Sequence, residues 1–296
     1  MFEFNQYNIA PWGYEIVIYF FLIGMAAMTF IYAAAPAVFG GIFGGVAGKA
    51  MQPFQKTGMI AALILLLISG PLLIADLGQP SRFLFPIIYF HWTSPLSWGS
   101  LFLPLFGLSI VGYLFALING KTDWLKPLGI IGSLLAVSMP LYTGLDLMVH
   151  QGRELWSNPT IPVLFVILSI SSGTALVAVL HLATGKLNDQ ALEVLYWFLY
   201  VALAATLVLF LAELVVLNYG SAEKRQAWQV INTEFGFEYW VLTFLIGIIA
   251  PLLLIVKPKL GRNPKVLVLA AVLSAVGAYS FRAVLIYAGQ LGQLYY

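Results

Sequence analysis

Apolar residues run in eight long blocks along the chain, broken by short polar or charged connections. The blocks cover about 13–35, 57–76, 97–118, 127–149, 161–184, 191–217, 238–256 and 266–290. Each is long enough for a membrane-crossing helix, which takes about 20 mostly apolar residues. Strand-length alternation is absent, so a β-barrel is not expected. The pattern predicts an all-α integral membrane protein with eight transmembrane helices. The first block follows Phe2 and Glu3 without a basic leader and continues as a full span, so it reads as a helix and not as a cleaved signal. No internal repeat or linker interrupts the series, and residues 1–296 read as a single membrane domain. The stretch Gly40–Gly45, continuing to Gly48, has the four-residue spacing of a helix-packing face. A turn after Pro36 is the preferred reading.

The basic residues orient these spans. Alternate connections carry Lys49, Lys56, Lys121, Lys126, Lys186, Lys257, Lys259, Arg262 and Lys265, whereas the opposite set has Arg82, Arg153, Lys224 and Arg225. Short cytoplasmic loops are enriched in Lys and Arg, so the richer set is expected inside and both termini outside. The remaining cation, Arg282, falls inside the last block. The expected outer connections, around 78–99 and 152–159, are the ones rich in Pro, Trp and polar residues. Binding residues concentrate in such segments, although part of this Trp content serves as an interfacial belt.

Composition narrows the chemistry. Of 296 residues, 61% are hydrophobic and 9% charged, and none is cysteine. A soluble domain carries about 25% charged residues. Without cysteine the chain cannot hold thiolate-ligated iron–sulfur clusters, c-type haem or disulfides. The near-neutral charge gives no reason to expect nucleic acid. With only His91, His150 and His181, a transmembrane pair of bis-histidine haems is excluded. No phosphate-binding loop or HExxH pattern is present, and no metal site is expected on this chain.

Ionisable residues within spans are costly and normally face the protein interior. Glu15, Asp76, Asp146, Glu213 and Glu238 all fall toward the expected outer ends of their helices, while His181 and Glu193 lie toward the inner ends. Buried ions usually pair, so Arg282 is expected to tie the last helix to an acid such as Glu213 or Asp146.

Several segments, in order along the chain, resemble one family. Asp76-Leu77-Gly78-Gln79-Pro80-Ser81-Arg82-Phe83 is followed by Thr93-Ser94-Pro95-Leu96-Ser97-Trp98-Gly99, then Tyr142-Thr143-Gly144-Leu145 and Arg153-Glu154-Leu155-Trp156-Ser157-Asn158-Pro159. Looser matches are Trp12-Gly13-Tyr14-Glu15, Ser172-Gly173-Thr174-Ala175 and Arg282-Ala283-Val284-Leu285. Together they resemble the polysulfide reductase membrane-subunit (NrfD-like) family. The resemblance implies two four-helix bundles, here 1–155 and 156–296, in a bacterial or archaeal cytoplasmic membrane. It implies a quinone-reactive subunit (menaquinone or ubiquinone) without haem. It also implies an extracytoplasmic iron–sulfur partner and a molybdopterin catalytic subunit, which would carry the metals this chain cannot hold. Tyr142 matches the tyrosine that faces a quinone carbonyl, Asp76 and Arg82 the acid and arginine after the second helix, and Arg282 the arginine of the last. Tyr19 stands where some relatives have histidine, and Glu154 where they have proline.

The expected site lies among the first four helices near the outer surface, beneath Arg82 and the Thr93–Trp98 loop. Tyr142, Tyr19, Glu15, Arg82 and Trp98 would contact the quinone. Glu15 or Asp76 would take its protons. Proton translocation, if coupled, would run past Asp146, Glu213, Glu193 or His181. Two rival readings are a secondary transporter, suggested by Gly70-Pro71, Met139-Pro140 and Ala250-Pro251, and a structural anchor without quinone chemistry.

Overall fold

The computed structural model describes residues 12–39, 46–77, 79–185 and 187–291. Eight of its helices are long and apolar enough to cross a membrane. They are α1 (Tyr14–Val38), α2 (Gln55–Asp76), α3 (Pro95–Ile118), α4 (Thr122–Met148), α5 (Thr160–Ala183), α6 (Asp189–Tyr219), α7 (Phe237–Ile255) and α8 (Pro264–Leu291). Each coincides with one apolar block, and no strand occurs among the described residues. The largest offset is at α4, whose first five residues include Thr122, Asp123 and Lys126, residues an apolar window discards. The Gly40–Gly45 stretch, Gly78, Lys186 and both chain ends lie outside the described residues.

Local chemistry sets the helix ends. Ser94 caps α3 by accepting from Ser97 N, and Pro95 occupies the first turn, where its missing N–H costs nothing. Asn188 caps α6 through Ala191 N at 2.7 Å. Gly120 and Gly185 take φ +66° just after α3 and α5, the left-handed conformation that terminates helices. α1 continues through Pro36 to Val38. A proline in the last turn forfeits one hydrogen bond without ending the helix.

The packing inverts the pattern of a soluble protein. Ile64, Leu67, Leu108, Leu134, Val201, Val208 and Leu253 are exposed, whereas Ser, Thr and Gly residues are buried along α5 and α8. An apolar exterior of this extent suits lipid, and small buried residues let helix backbones approach. α1 is central and packs against α2, α4, α5 and α8. α3 rests on α4 and α2, α5 also meets α4, α6 and α8, and α7 lies mainly on α8.

α7 departs from regular geometry. Its backbone is π-helical over Phe237–Ile249 before an α-helical turn, Ala250–Ile255. Thr243 Oγ1 donates to Glu238 O, five residues back, at 3.0 Å. Near its middle, Gly247 faces Gly277 of α8 so closely that a Cβ on either would strike the other's backbone. A surface helix, Ala222–Glu234, joins α6 to α7 and buries Ala227 and Ile231.

One end of the helix stack carries Lys49, Lys56, Lys121, Lys126, Lys257, Lys259, Arg262 and Lys265. The other carries the long loops with Arg82, Arg153, Lys224 and Arg225. These are called below the basic end and the long-loop end.

Candidate functional site

Two buried tyrosines meet between α1 and α4 toward the long-loop end. Tyr19 is fully buried and Tyr142 nearly so, and their hydroxyls hydrogen-bond each other. Three features hold Tyr142 in place. Pro140 precedes it by two residues and accepts at its carbonyl from Thr143 Oγ1 at 2.9 Å. Gly144 brings α4 directly onto the backbone of Pro162 in α5. The Tyr142 ring lies over Gly99 of α3, in space that any Cβ at that position would need.

Beside the ring a cleft of about 170 Å³ opens, walled by Thr93, Trp98, Phe102, Ser138, Leu141 and Tyr142, among others. Trp98 is fixed by its indole N–H, which donates to Trp92 O at 2.9 Å, and by edge contacts with Phe90 and Trp92. The cleft is mostly apolar, and Thr93, Ser138 and Tyr142 are the hydroxyl-bearing residues of its lining. Such a lining suits a planar ring carrying oxygen substituents.

Acids stand one helical turn from the tyrosines, on the long-loop side. Glu15 precedes Tyr19 by four residues on α1 and Asp146 follows Tyr142 by four on α4, spacings that share a helix face. Asp146 lies near enough to Tyr19 for an electrostatic interaction, and Glu15 likewise to Asp76. Asp76 Oδ1 accepts from Gly13 N at 3.4 Å, so the end of α2 is tied to the start of α1. Around them Trp12 stacks on Trp156 at 5.0 Å, with His150 edge-on to both.

Tyr19, Tyr142, Trp98, Glu15, Asp76 and Asp146 are thus brought to one region. Arg82 is not among the residues of the cleft. It is exposed on the turn Pro80–Arg82, with its guanidinium over the Phe85 ring at 5.5 Å. Glu213 also stands elsewhere, accepting from Asn158 Nδ2 and Thr160 Oγ1.

The expected ion pair of Arg282 is corrected by the structure. Arg282 is fully buried, and no carboxylate lies within ion-pair distance among the described residues. It donates to Ala278 O at 2.9 Å, Phe165 O at 3.2 Å and Ser169 Oγ at 3.1 Å, with the Phe165 ring 5.1 Å away. A guanidinium presents five donors in a fork; here two backbone carbonyls and a serine hydroxyl accept from its terminal nitrogens without an acid, and Nε has no hydrogen-bond partner among the described residues.

Gly99, Phe102 and Ser138 were not expected at the site from the sequence. Gly99 ends the motif Thr93–Gly99, and its lack of a side chain was the signal available. No group of three or more potential metal ligands occurs among the described residues.

The family model described as "Polysulphide reductase, NrfD" matches residues 3–292. The chain belongs to this family. The Haemophilus influenzae protein NrfD homolog is 25% identical, over 95% of this chain and 94% of its own. A polysulfide reductase chain of Wolinella succinogenes is 25% identical over 97% and 96%. A selenate reductase subunit of Mesobacillus selenatarsenatis is 26% identical over 85% and 68%. With eight apolar helices, this NrfD-family chain is a multi-pass membrane protein.

Proposed function

We propose that this chain is the quinol-reactive membrane subunit of a respiratory oxidoreductase complex of the polysulfide or thiosulfate reductase type. It resides in a bacterial or archaeal cytoplasmic membrane with the long-loop end and both termini outside. α1–α4 and α5–α8 form two four-helix units, and the substrate, menaquinol or ubiquinol, binds in the first. Its electrons pass to an extracytoplasmic iron–sulfur subunit that serves a molybdopterin catalytic subunit. Relatives named as components of polysulfide and selenate reductases support this partnership.

The observation that carries the reading is the hydrogen-bonded tyrosine pair at an aromatic cleft. A phenol both donates and accepts. With Tyr19 donating to Tyr142, Tyr142 keeps its own hydrogen for a quinone oxygen. Trp98 and Phe102 hold the ring, while the prenyl tail stays toward lipid because the cleft is too small for it. As the quinol loses electrons, Glu15, Asp76 and Asp146 accept its protons and pass them to the outer solvent. Arg82 serves at the rim, outside the cleft.

Turnover of the assembled complex with quinol tests this. Tyr142→Phe is expected to lower the rate about 10- to 100-fold, the worth of one hydrogen bond to a group that gains charge. Asp76→Asn is expected to lower it by a similar factor. Near-normal turnover in both variants, with the complex intact, overturns the assignment.

A further inference from the structure

The helices α5–α8 hold a second buried polar group that the tyrosine cleft does not use. Glu213 of α6 is 2% exposed. Asn158 Nδ2 and Thr160 Oγ1 both donate to the same oxygen, Oε2, the threonine at 2.8 Å. Asn158 is committed at its other end as well, since its Oδ1 accepts from Thr160 N at 3.1 Å and lies 3.0 Å from Thr160 Oγ1, whose single hydrogen serves either this oxygen or Glu213. Oε1 of Glu213 accepts no hydrogen bond among the described residues.

Glu213 and Tyr239 of α7 line one cavity, which has room for about one water molecule. Leu155, Leu217, Ile231, Phe281, Val284 and Leu285 close it with apolar surface. Tyr239 is 2% exposed and its hydroxyl is buried without a partner. Buried hydroxyls are normally satisfied, so an orphan beside a carboxyl demands a reason. Tyr239 also lies in the π-helical stretch, an irregularity that recurs at functional sites.

Charge compensation is weak. Lys224 of the surface helix is the cation whose field reaches Glu213, yet its Nζ is held by Glu154 Oε2 at 3.5 Å and by the carbonyls of Glu154 and Ser157. Thr160 of α5 and the apolar α8 residues bring no charge to the cavity, and Arg282 turns to Phe165 and Ser169. Tyr239 is the titratable group that faces it from α7. A carboxylate withdrawn from water and not matched by a cation is relieved by binding a proton.

We propose that Glu213 is a proton-binding site, taking a proton on Oε1 with the Tyr239 hydroxyl as its switchable partner. When the carboxyl is protonated, Tyr239 accepts a hydrogen bond from it, directly or through one water. When it is ionised, the same hydroxyl donates. One group therefore serves both states, which a fixed cation could not do. Exchange with solvent runs at the long-loop end, past the Glu154–Lys224 rim and Ile231. Only the purpose of this site rests on the quinol reading; proton binding itself does not.

Infrared difference spectroscopy of the purified complex between acid and alkaline pH tests the proposal without turnover. The expected result is a carboxylic-acid C=O band that disappears in Glu213→Gln and shifts in Tyr239→Phe. Tyr142→Phe leaves that band in place. No band lost in Glu213→Gln, or no shift in Tyr239→Phe, overturns the proposal. A band that responds to sodium at constant pH does so too, because the site then binds a metal cation. If Glu213→Gln fails to assemble, the shift in Tyr239→Phe decides alone. A wild-type complex that keeps the band but oxidises no quinol removes the quinol reading and leaves the proton site standing.

Discussion

Gly99 and Gly70 lie on neighbouring helices, yet only one has a reason to lack a side chain. The space beyond Gly99 is filled by the Tyr142 ring, whereas nothing approaches within 4 Å of the Cβ position at Gly70. Gly99→Ala is therefore expected to displace the ring from the cleft and reduce quinol turnover about tenfold, a shift of roughly 1.4 kcal/mol in the barrier. Gly70→Ala, which also raises helix propensity, should leave turnover unchanged. Equal effects from both would show that the ring contact is irrelevant. Tyr19→Phe is expected to be milder than Tyr142→Phe, because it removes the hydroxyl behind the donor and not the donor itself. A drop of about fivefold, one neutral hydrogen bond, is the anticipated size. The sequence singled out Tyr142 through its motif and Tyr19 through its position against the relatives' histidine. Their mutual bond was not legible, since contacts 123 positions apart leave no local trace.

At the scale of elements, α5 shows how buried polarity is handled without ion pairs. Ser169 bonds Arg282, and Thr174 Oγ1 and the Tyr32 hydroxyl bond each other at 2.7 Å. The sequence displayed an arginine and several acids at comparable depth and invited pairing. What it concealed was helix rotation: the acceptors for Arg282 are carbonyls on α5 and α8, and every residue has one. Ser169→Ala deletes the side-chain acceptor of a buried cation. It is expected to destabilise the protein by about 1–3 kcal/mol, read as a lower thermal midpoint in detergent. The helix limits, by contrast, were readable to within a few residues from the apolar blocks alone. The π-helical run was not, since Phe237–Ile249 is as apolar as any regular span. Its fit against α8 depends on the facing glycines. Gly247→Val should force α7 from Gly277 and cost about 1–3 kcal/mol through overpacking. An unaltered midpoint in that variant would mean the two helices part without penalty.

For the whole molecule, the count of spans and the partition of charge were both legible, because eight crossings force alternate connections to opposite ends. The central place of α1 was not, since its apolar sequence resembles that of the lipid-facing helices. Burial distinguishes it: α1 presents Gly24 to Ser169 and Arg282, and Tyr19 to Tyr142, so both halves of the chain close around it. Which end faces the cytoplasm decides whether quinol protons leave outside the cell and whether an iron–sulfur partner can dock above the cleft. The charge bias is the ground for proposing that the basic end is cytoplasmic. The cysteine-free sequence allows a direct check, since any introduced thiol is the only one on this chain. Gln229→Cys, exposed on the surface helix, should react with a membrane-impermeant maleimide in intact cells. Thr122→Cys, exposed where α4 begins, should react only after permeabilisation. The reverse pattern would put the tyrosine cleft at the cytoplasmic face. Quinol protons would then be released inside, and an extracytoplasmic electron acceptor would be out of reach.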